Sequence, residues 1–376
     1  MADYAEVLFD VRRELGDRRA PTFGFGASYC GELVVKMRMK YPHLLTGGIA
    51  SSAPMAAYYN MDPIYDGYGF AKVVTECATP LGLSNAGCEP SFRAAFAAIA
   101  ELAKTEEGAA EVNDVLGVCD DSRISGEDDV GFLLGFLSNT WMSDGTSSGP
   151  SGYYPYAVAC ATLTGTFAAG QPAADTANAT ELLQHFAEAT APFAQSDCLS
   201  FSDYMNEQGM TMQGYVETPP FNGLTNETSI DEDGYSSTDL VYSFQTCTEM
   251  FAPSSTNNVT DMFFPETWNV SLQAQICEDT YGRGPLFEVQ AVQYGGRDLD
   301  DLTNLLYVNG RLDAWYPGCI TKSDANPVIN IPLSGHGDDV GAATIYDPPG
   351  LRAARITMYN TLKRWIAEAG ARQTKA

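Results

Sequence analysis

The chain has 376 residues, 45% of them apolar, and a formal charge of −27 at pH 7. That length supports one large domain or two ordinary ones with a sizeable core. The acidity excludes nucleic acid and anionic membrane as partners, since both demand basic surface, and it reads as solubility in an acidic or saline compartment.

The opening stretch MADYAEVLFDVRREL reads as an amphipathic helix and not as a signal peptide. Tyr4, Val7, Leu8, Val11 and Leu15 supply its apolar face, and Gly16 ends it. PTFGFG (21–26) is a short apolar strand, 29–40 returns to helix, and Tyr41-Pro42 stops it. LLTGGIASSAP (44–54) is a second buried strand running into a turn. This alternation predicts a parallel α/β sheet. From about residue 58 the pattern turns helical, at 90–104 (Phe92, Phe96, Ile99, Leu102), 129–142 and 181–194. Polar loops at 143–152 and 229–239 separate these helices, and the acidic cluster Asp231-Glu232-Asp233 reads as a solvated loop. From about 300 the α/β pattern resumes, with strands at 304–310 and 326–335. A closing helix at 351–367 carries Ile356, Tyr359, Leu362 and Ile366 on one face. There is no internal repeat and no apolar run of membrane-spanning length. The layout is a discontinuous α/β core, 1–57 with 291–376, interrupted by a helical cap at 58–290.

GFGASYCGEL (24–33) places Ser28 in a G-x-S-x pattern between a strand and a helix, with Cys30 where a second glycine is usual. A serine hydroxyl needs a base, generally a histidine oriented by a buried carboxylate. The chain has three histidines. His43 follows KYP and reads as structural, and His185 lies inside a cap helix. His336 follows a strand near the C-terminal end of the sequence. Asp313 sits just past the strand LLYVNG, so the order Ser28, Asp313, His336 is that of a hydrolase triad. Alone, each of these residues is more often structural than catalytic; the order and the strand ends together carry the reading. The Tyr29 amide, opening a helix, would donate to an oxyanion. Cys30 is either a packing residue or a reactive thiol, and packing is preferred because no second base is available to it. The nine cysteines are scattered without metal spacing, so neither a metal nor another cofactor is expected. Sequons at Asn178, Asn226, Asn258 and Asn269 add a secretory character.

The segment GASYCGELVVKMRMKYPHLLTGGIASSAP (26–54) resembles the elbow of the lysosomal Pro-X carboxypeptidase and type II dipeptidyl peptidase family of serine peptidases, which carries G-G-S-Y-G-G, then R-M-K-Y-P-H-L and A-S-A-P. FQTCTE (244–249), NNVTDMF (257–263) and NGRLDAW (309–315) resemble later landmarks. The likeness runs from residue 2 to about 367 and weakens through the cap. It implies an α/β-hydrolase core with a partial sheet, a large helical cap insertion, and exopeptidase action after proline in acidic vesicles or outside the cell. In that picture Ser28 is the nucleophile, Asp313 the orienting acid, His336 the base, and Trp315 a candidate wall of the proline pocket or a core residue. The family pattern also implies the disulfides Cys88–Cys160, Cys119–Cys198 and Cys247–Cys277, leaving Cys30, Cys77 and Cys319 unassigned. NNVTDMF leans toward the dipeptidyl peptidase branch. The expected partners are proline-containing peptides, with a homodimer left open, and the expected location is a lysosome, a vacuole or the extracellular space.

Three departures stand out. Cys30 replaces the elbow glycine. Gly337 replaces the second histidine of the family's A-H-H segment, and the arginine that follows there is absent, which would shift the pH optimum. The family also carries well over a hundred residues before its elbow, so the expectation is an N-terminally incomplete version of a longer protein whose first strand has an open edge. Two other readings compete: a hydrolase-fold protein without catalysis, kept for binding, and an esterase or lipase, which fits the triad but not the motifs.

Overall fold

Four short apolar segments form one parallel sheet in a computed structural model that describes residues 1–61, 64–144, 155–165, 179–193, 198–201 and 237–373. They are β1 (Phe23–Ala27), β2 (Gly47–Ser51), β3 (Leu305–Gly310) and β4 (Val328–Ile331), hydrogen-bonded in the order β1-β2-β3-β4. The register pairs Ala27 with Ser51, Ser51 with Val308 and Gly310 with Ile331. Every residue of β2 and β3 is buried, as in parallel strands covered on both faces. Alternate β3 residues serve opposite layers. Leu305 and Tyr307 pack with Val34, Val35, Ala50 and Met55, while Leu306 and Val308 pack with Ile49, Ile331, Leu351 and Met358.

The chain divides into two units. The first takes Met1–Val73 and Gln290–Ala376 and holds the sheet. Among its helices are α1 (Ala2–Glu14), α2 (Tyr29–Lys40), which links β1 to β2, and the last helix, Pro349–Gln373. The second takes Val74–Gly145 and Pro155–Val289, and its described elements are almost all helical. Phe92 anchors that unit's core, with Phe96, Trp141, Phe186 and Phe263 around it at centroid distances of 4.5–5.6 Å. Trp141 Nε1 donates to Thr190 Oγ1 at 3.0 Å, so the buried indole keeps its hydrogen bond. Three disulfides, Cys88–Cys160, Cys119–Cys198 and Cys247–Cys277, cross-link this unit.

Two helix faces differ from the sequence reading. In α1 the apolar positions Tyr4, Val7, Val11 and Leu15 are exposed. The stripe that docks is Ala5 with Leu8, against Met37, Leu44 and Leu45. Buried Arg12 fixes the rotation: its guanidinium donates to the carbonyls of His43 (3.1 Å) and Leu44 (2.6 Å). In the last helix, Ile356, Tyr359 and Ile366 are exposed, and Leu351, Ala354, Met358 and Trp365 face the sheet. Trp365 stacks on Phe23 at 6.1 Å, which selects that stripe. Both stripes satisfy a 3.6-residue period, so the periodicity alone did not choose between them.

Candidate active site

The turn from β1 into α2 forces Ser28 to φ 57° and ψ −132°, a conformation that a residue with a Cβ rarely adopts. Such strain costs about 1–3 kcal/mol and persists only where neighbours hold it. Here the Ser28 amide donates to the Ser51 carbonyl at 2.9 Å, and the Ser28 carbonyl accepts from the Glu32 amide at 3.1 Å. Tyr29 is the first residue of α2, so its amide belongs to the positive end of the helix dipole.

The close contact of helix and strand falls one residue later than the sequence reading placed it. A Cβ on Gly31 would lie 2.8 Å from the Ser51 carbonyl oxygen and 3.0 Å from Ala53 Cβ. Gly31 therefore does the packing, and Cys30 is an exposed free thiol outside that contact. This is why a cysteine is tolerated where the elbow pattern has glycine.

Asp313 lies three residues beyond β3 and is fully buried. Its Oδ1 accepts from the Trp315 amide at 2.8 Å and meets His336 Nδ1 at 2.9 Å; its Oδ2 has no partner among the described residues. The loop after β4 carries His336, whose side chain is 18% exposed, enough for the ring to remain accessible. Gly337 follows with φ 67°, in the left-handed region that glycine takes without cost. Its amide donates to Ser52 Oγ at 2.9 Å, and a Cβ placed on it would stand 3.3 Å from Ala27 Cβ. The Ser28 turn and the His336 loop thus converge on the C-terminal end of β2, Ser28 through Ser51 and the residue after His336 through Ser52.

The electrostatics follow from burial and like charge. Burial opposes the His336 imidazolium, but the Asp313 hydrogen bond and charge, with the charges of Asp338 and Asp339, outweigh it and raise the pKa above its ordinary value. Burial pushes Asp338 and Asp339 up to about 6 each, and the charge of Asp313 adds to the shift. Trp315 is half-buried and meets Phe70 edge-on at 5.1 Å. His43 is exposed on the surface, and His185 sits in the second unit beside Gly165. Among the sequons, Asn258 and Asn269 are exposed, while Asn178 and Asn226 lie outside the described residues.

Several residues around this constellation had no role in the sequence reading. Ser51, Ser52, Asp338 and Asp339 fasten its loops, and Glu32 is a buried carboxylate in α2, paired with Lys36 Nζ at 2.8 Å and accepting from Tyr58 OH. The only signal for them was position: a serine pair at a strand end and an acidic pair just after the histidine. Among the described residues no cluster of three or more His, Cys, Asp and Glu could hold a metal, and no helix is long and apolar enough to cross a membrane.

Comparison with known proteins accounts for the arrangement. The family model for serine carboxypeptidase S28 matches residues 1–358. The lysosomal Pro-X carboxypeptidases of Bos taurus and Homo sapiens are each 28% identical to the chain, over 98% of its length and 68% of theirs. The thymus-specific serine protease of Mus musculus is 26% identical over 93% of this chain and 64% of its own. A strained serine elbow on a parallel sheet, with a histidine–aspartate pair at the neighbouring strand ends, is the arrangement expected of an α/β-hydrolase, and with a match across nearly its whole length the chain belongs to the serine carboxypeptidase S28 family and is a serine peptidase.

Proposed function

We propose that Ser28, Asp313 and His336 form the catalytic triad of an exopeptidase that cleaves after proline. The observation that carries this is the 2.9 Å contact between His336 Nδ1 and Asp313 Oδ1, on loops fastened to the strand end that holds Ser28. With Nδ1 engaged by Asp313, Nε2 is the nitrogen left to take the Ser28 proton as Oγ attacks the carbonyl carbon. The oxyanion formed is met by the Tyr29 amide at the helix N-terminus. Collapse of the tetrahedral species breaks the C–N bond, and the imidazolium returns its proton to the leaving amine. Water, deprotonated by the same base, then releases the acyl group from Ser28. Trp315, joined through its amide to Asp313, is the residue we assign to the apolar wall for proline.

Release of a single C-terminal residue is the first reading, because the bovine and human relatives at 28% identity carry the name Pro-X carboxypeptidase. Release of an N-terminal dipeptide is the second, favoured by the NNVTDMF segment at 257–263. Two substrates separate them: an N-blocked peptide ending in Pro-Phe with a free carboxylate, and a free-amine Xaa-Pro arylamide. Hydrolysis of the first alone supports carboxypeptidase action, and hydrolysis of the second alone supports dipeptide release. Turnover of neither by a chain that labels at Ser28 would reject proline specificity. We place the protein in a lysosome, a vacuole or the extracellular space. The relatives' names, three disulfides and exposed Asn258 and Asn269, which we propose as glycan carriers, support that placement.

A further inference from the structure

Three carboxylates stand around the triad imidazole, and the triad uses one. Asp338 and Asp339 are both buried. Asp338 Oδ2 accepts from Ser334 Oγ at 3.0 Å and from the Gly335 amide at 2.6 Å, closing the turn on the approach to His336. Asp339 Oδ1 accepts from Ser51 Oγ at 2.5 Å, which ties the far side of the same turn to β2. Arg355 of the last helix locks both residues from behind: Nη2 donates to the Asp338 carbonyl (2.7 Å) and Nε to the Asp339 carbonyl (3.1 Å), while Nη1 pairs with Asp347. Ser51 also holds the nucleophile, since its carbonyl accepts the Ser28 amide. One residue at the end of β2 therefore joins the serine's turn through its backbone to the histidine's loop through its side chain.

We propose that Asp338 and Asp339 are positioning residues for the general base: they clamp the His336 loop between Ser334–Gly335 and Ser51, and their charge steadies the imidazolium that forms when Ser28 gives up its proton. This rests on the triad reading above. The charged groups facing the loop are Asp313 from the segment after β3, His336 itself, and Arg355 with Asp347 from the last helix and the turn before it. Arg355 offsets part of the negative charge but places its donors on two backbone carbonyls and Asp347. The net field at the ring therefore favours the protonated form. A carboxylate in these positions does two separable things, accepting a hydrogen bond and supplying charge. Asparagine keeps the first and removes the second.

The test is the rate of fluorophosphonate labelling from pH 5 to 9 for the wild-type chain and for Asp338→Asn, Asp339→Asn and Ser51→Ala, with melting curves alongside. Both asparagine variants should move the acid limb of the profile down by roughly half a pH unit or more, with melting temperatures no lower than wild type. Ser51→Ala should lower the plateau about tenfold, the factor lost with a base held loosely, with the limb unmoved. If one asparagine variant fails to fold, the other carries the same prediction. Profiles that overlay wild type in limb position, with plateaus lowered only in proportion to unfolded protein, would overturn the positioning role and leave the triad standing. A folded wild-type chain that takes no label would instead reject the triad and this proposal with it.

Discussion

Replacing Asp338 with asparagine should make the protein more stable at neutral pH and leave it unchanged in acid. In the folded chain the Asp338 carboxyl titrates at about 6, raised mainly by burial and further by Asp339 and Asp313, against 3.8 for a free carboxyl. A raised carboxyl pKa means that the folded state keeps a proton the unfolded chain has already lost. The cost to the folded state therefore opens as pH rises above about 4, grows to about 6 and is constant beyond. At about 1.4 kcal/mol per pH unit, the full penalty is on the order of 3 kcal/mol. Both hydrogen bonds to Asp338 land on one oxygen, so the asparagine carbonyl can keep them. The expected gain is about 1–3 kcal/mol at pH 7.5, or roughly 2–12 °C in the melting of the sheet-bearing unit. Melting curves from pH 3.5 to 8 provide the assay, read as the difference between variant and wild type. A difference that does not change with pH, or a variant less stable than wild type at pH 7.5, would refute the burial argument.

Other substitutions probe the elbow and the thiols. Ser28→Gly should abolish labelling while raising stability by about 1 kcal/mol, because glycine relieves the φ 57° strain at a smaller cost in chain entropy; a melting temperature below wild type would contradict this. Gly31→Ala should cost about 1–3 kcal/mol and slow labelling, since its Cβ would press on the Ser51 carbonyl that holds Ser28; wild-type stability would show that α2 can move away freely. In the native protein a thiol reagent should titrate Cys30 quickly and spare buried Cys77 and Cys319, the latter with its pKa raised by burial and by Asp313 and Glu32. Three thiols should react once the chain is denatured without reductant; more than one fast thiol in the native state would contradict the burial.

The order helix, strand, helix, strand at the front and strand, strand, helix at the back was enough to read a parallel sheet split by a helical segment, because fully buried strands leave continuous apolar runs. Asp313 and His336 were legible from their places after strands, three residues beyond β3 and five beyond β4, and they meet at 2.9 Å. Rotation of the surface helices was not legible. Arg12 decides it in α1 and Trp365 in the last helix, one through carbonyls of a distant loop and the other through Phe23. Neither partner is encoded locally. The elbow shows the same limit on a smaller scale. The pattern pointed to position 30, but the residue that meets β2 is Gly31, because the first turn of α2 aims that Cα at Ser51. The links from Ser51 to Asp339 and from Ser52 to Gly337 join residues 285 or more positions apart, so the local sequence marks them by position alone.

Whether His336 activates Ser28 is tested most directly by fluorophosphonate labelling with peptide mapping. The expected result is one label per chain, mapped to Ser28, absent in Ser28→Ala and slowed at least about a hundredfold in His336→Gln, the contribution of a general base. A folded chain that takes no label, or a label that persists in Ser28→Ala, would contradict it.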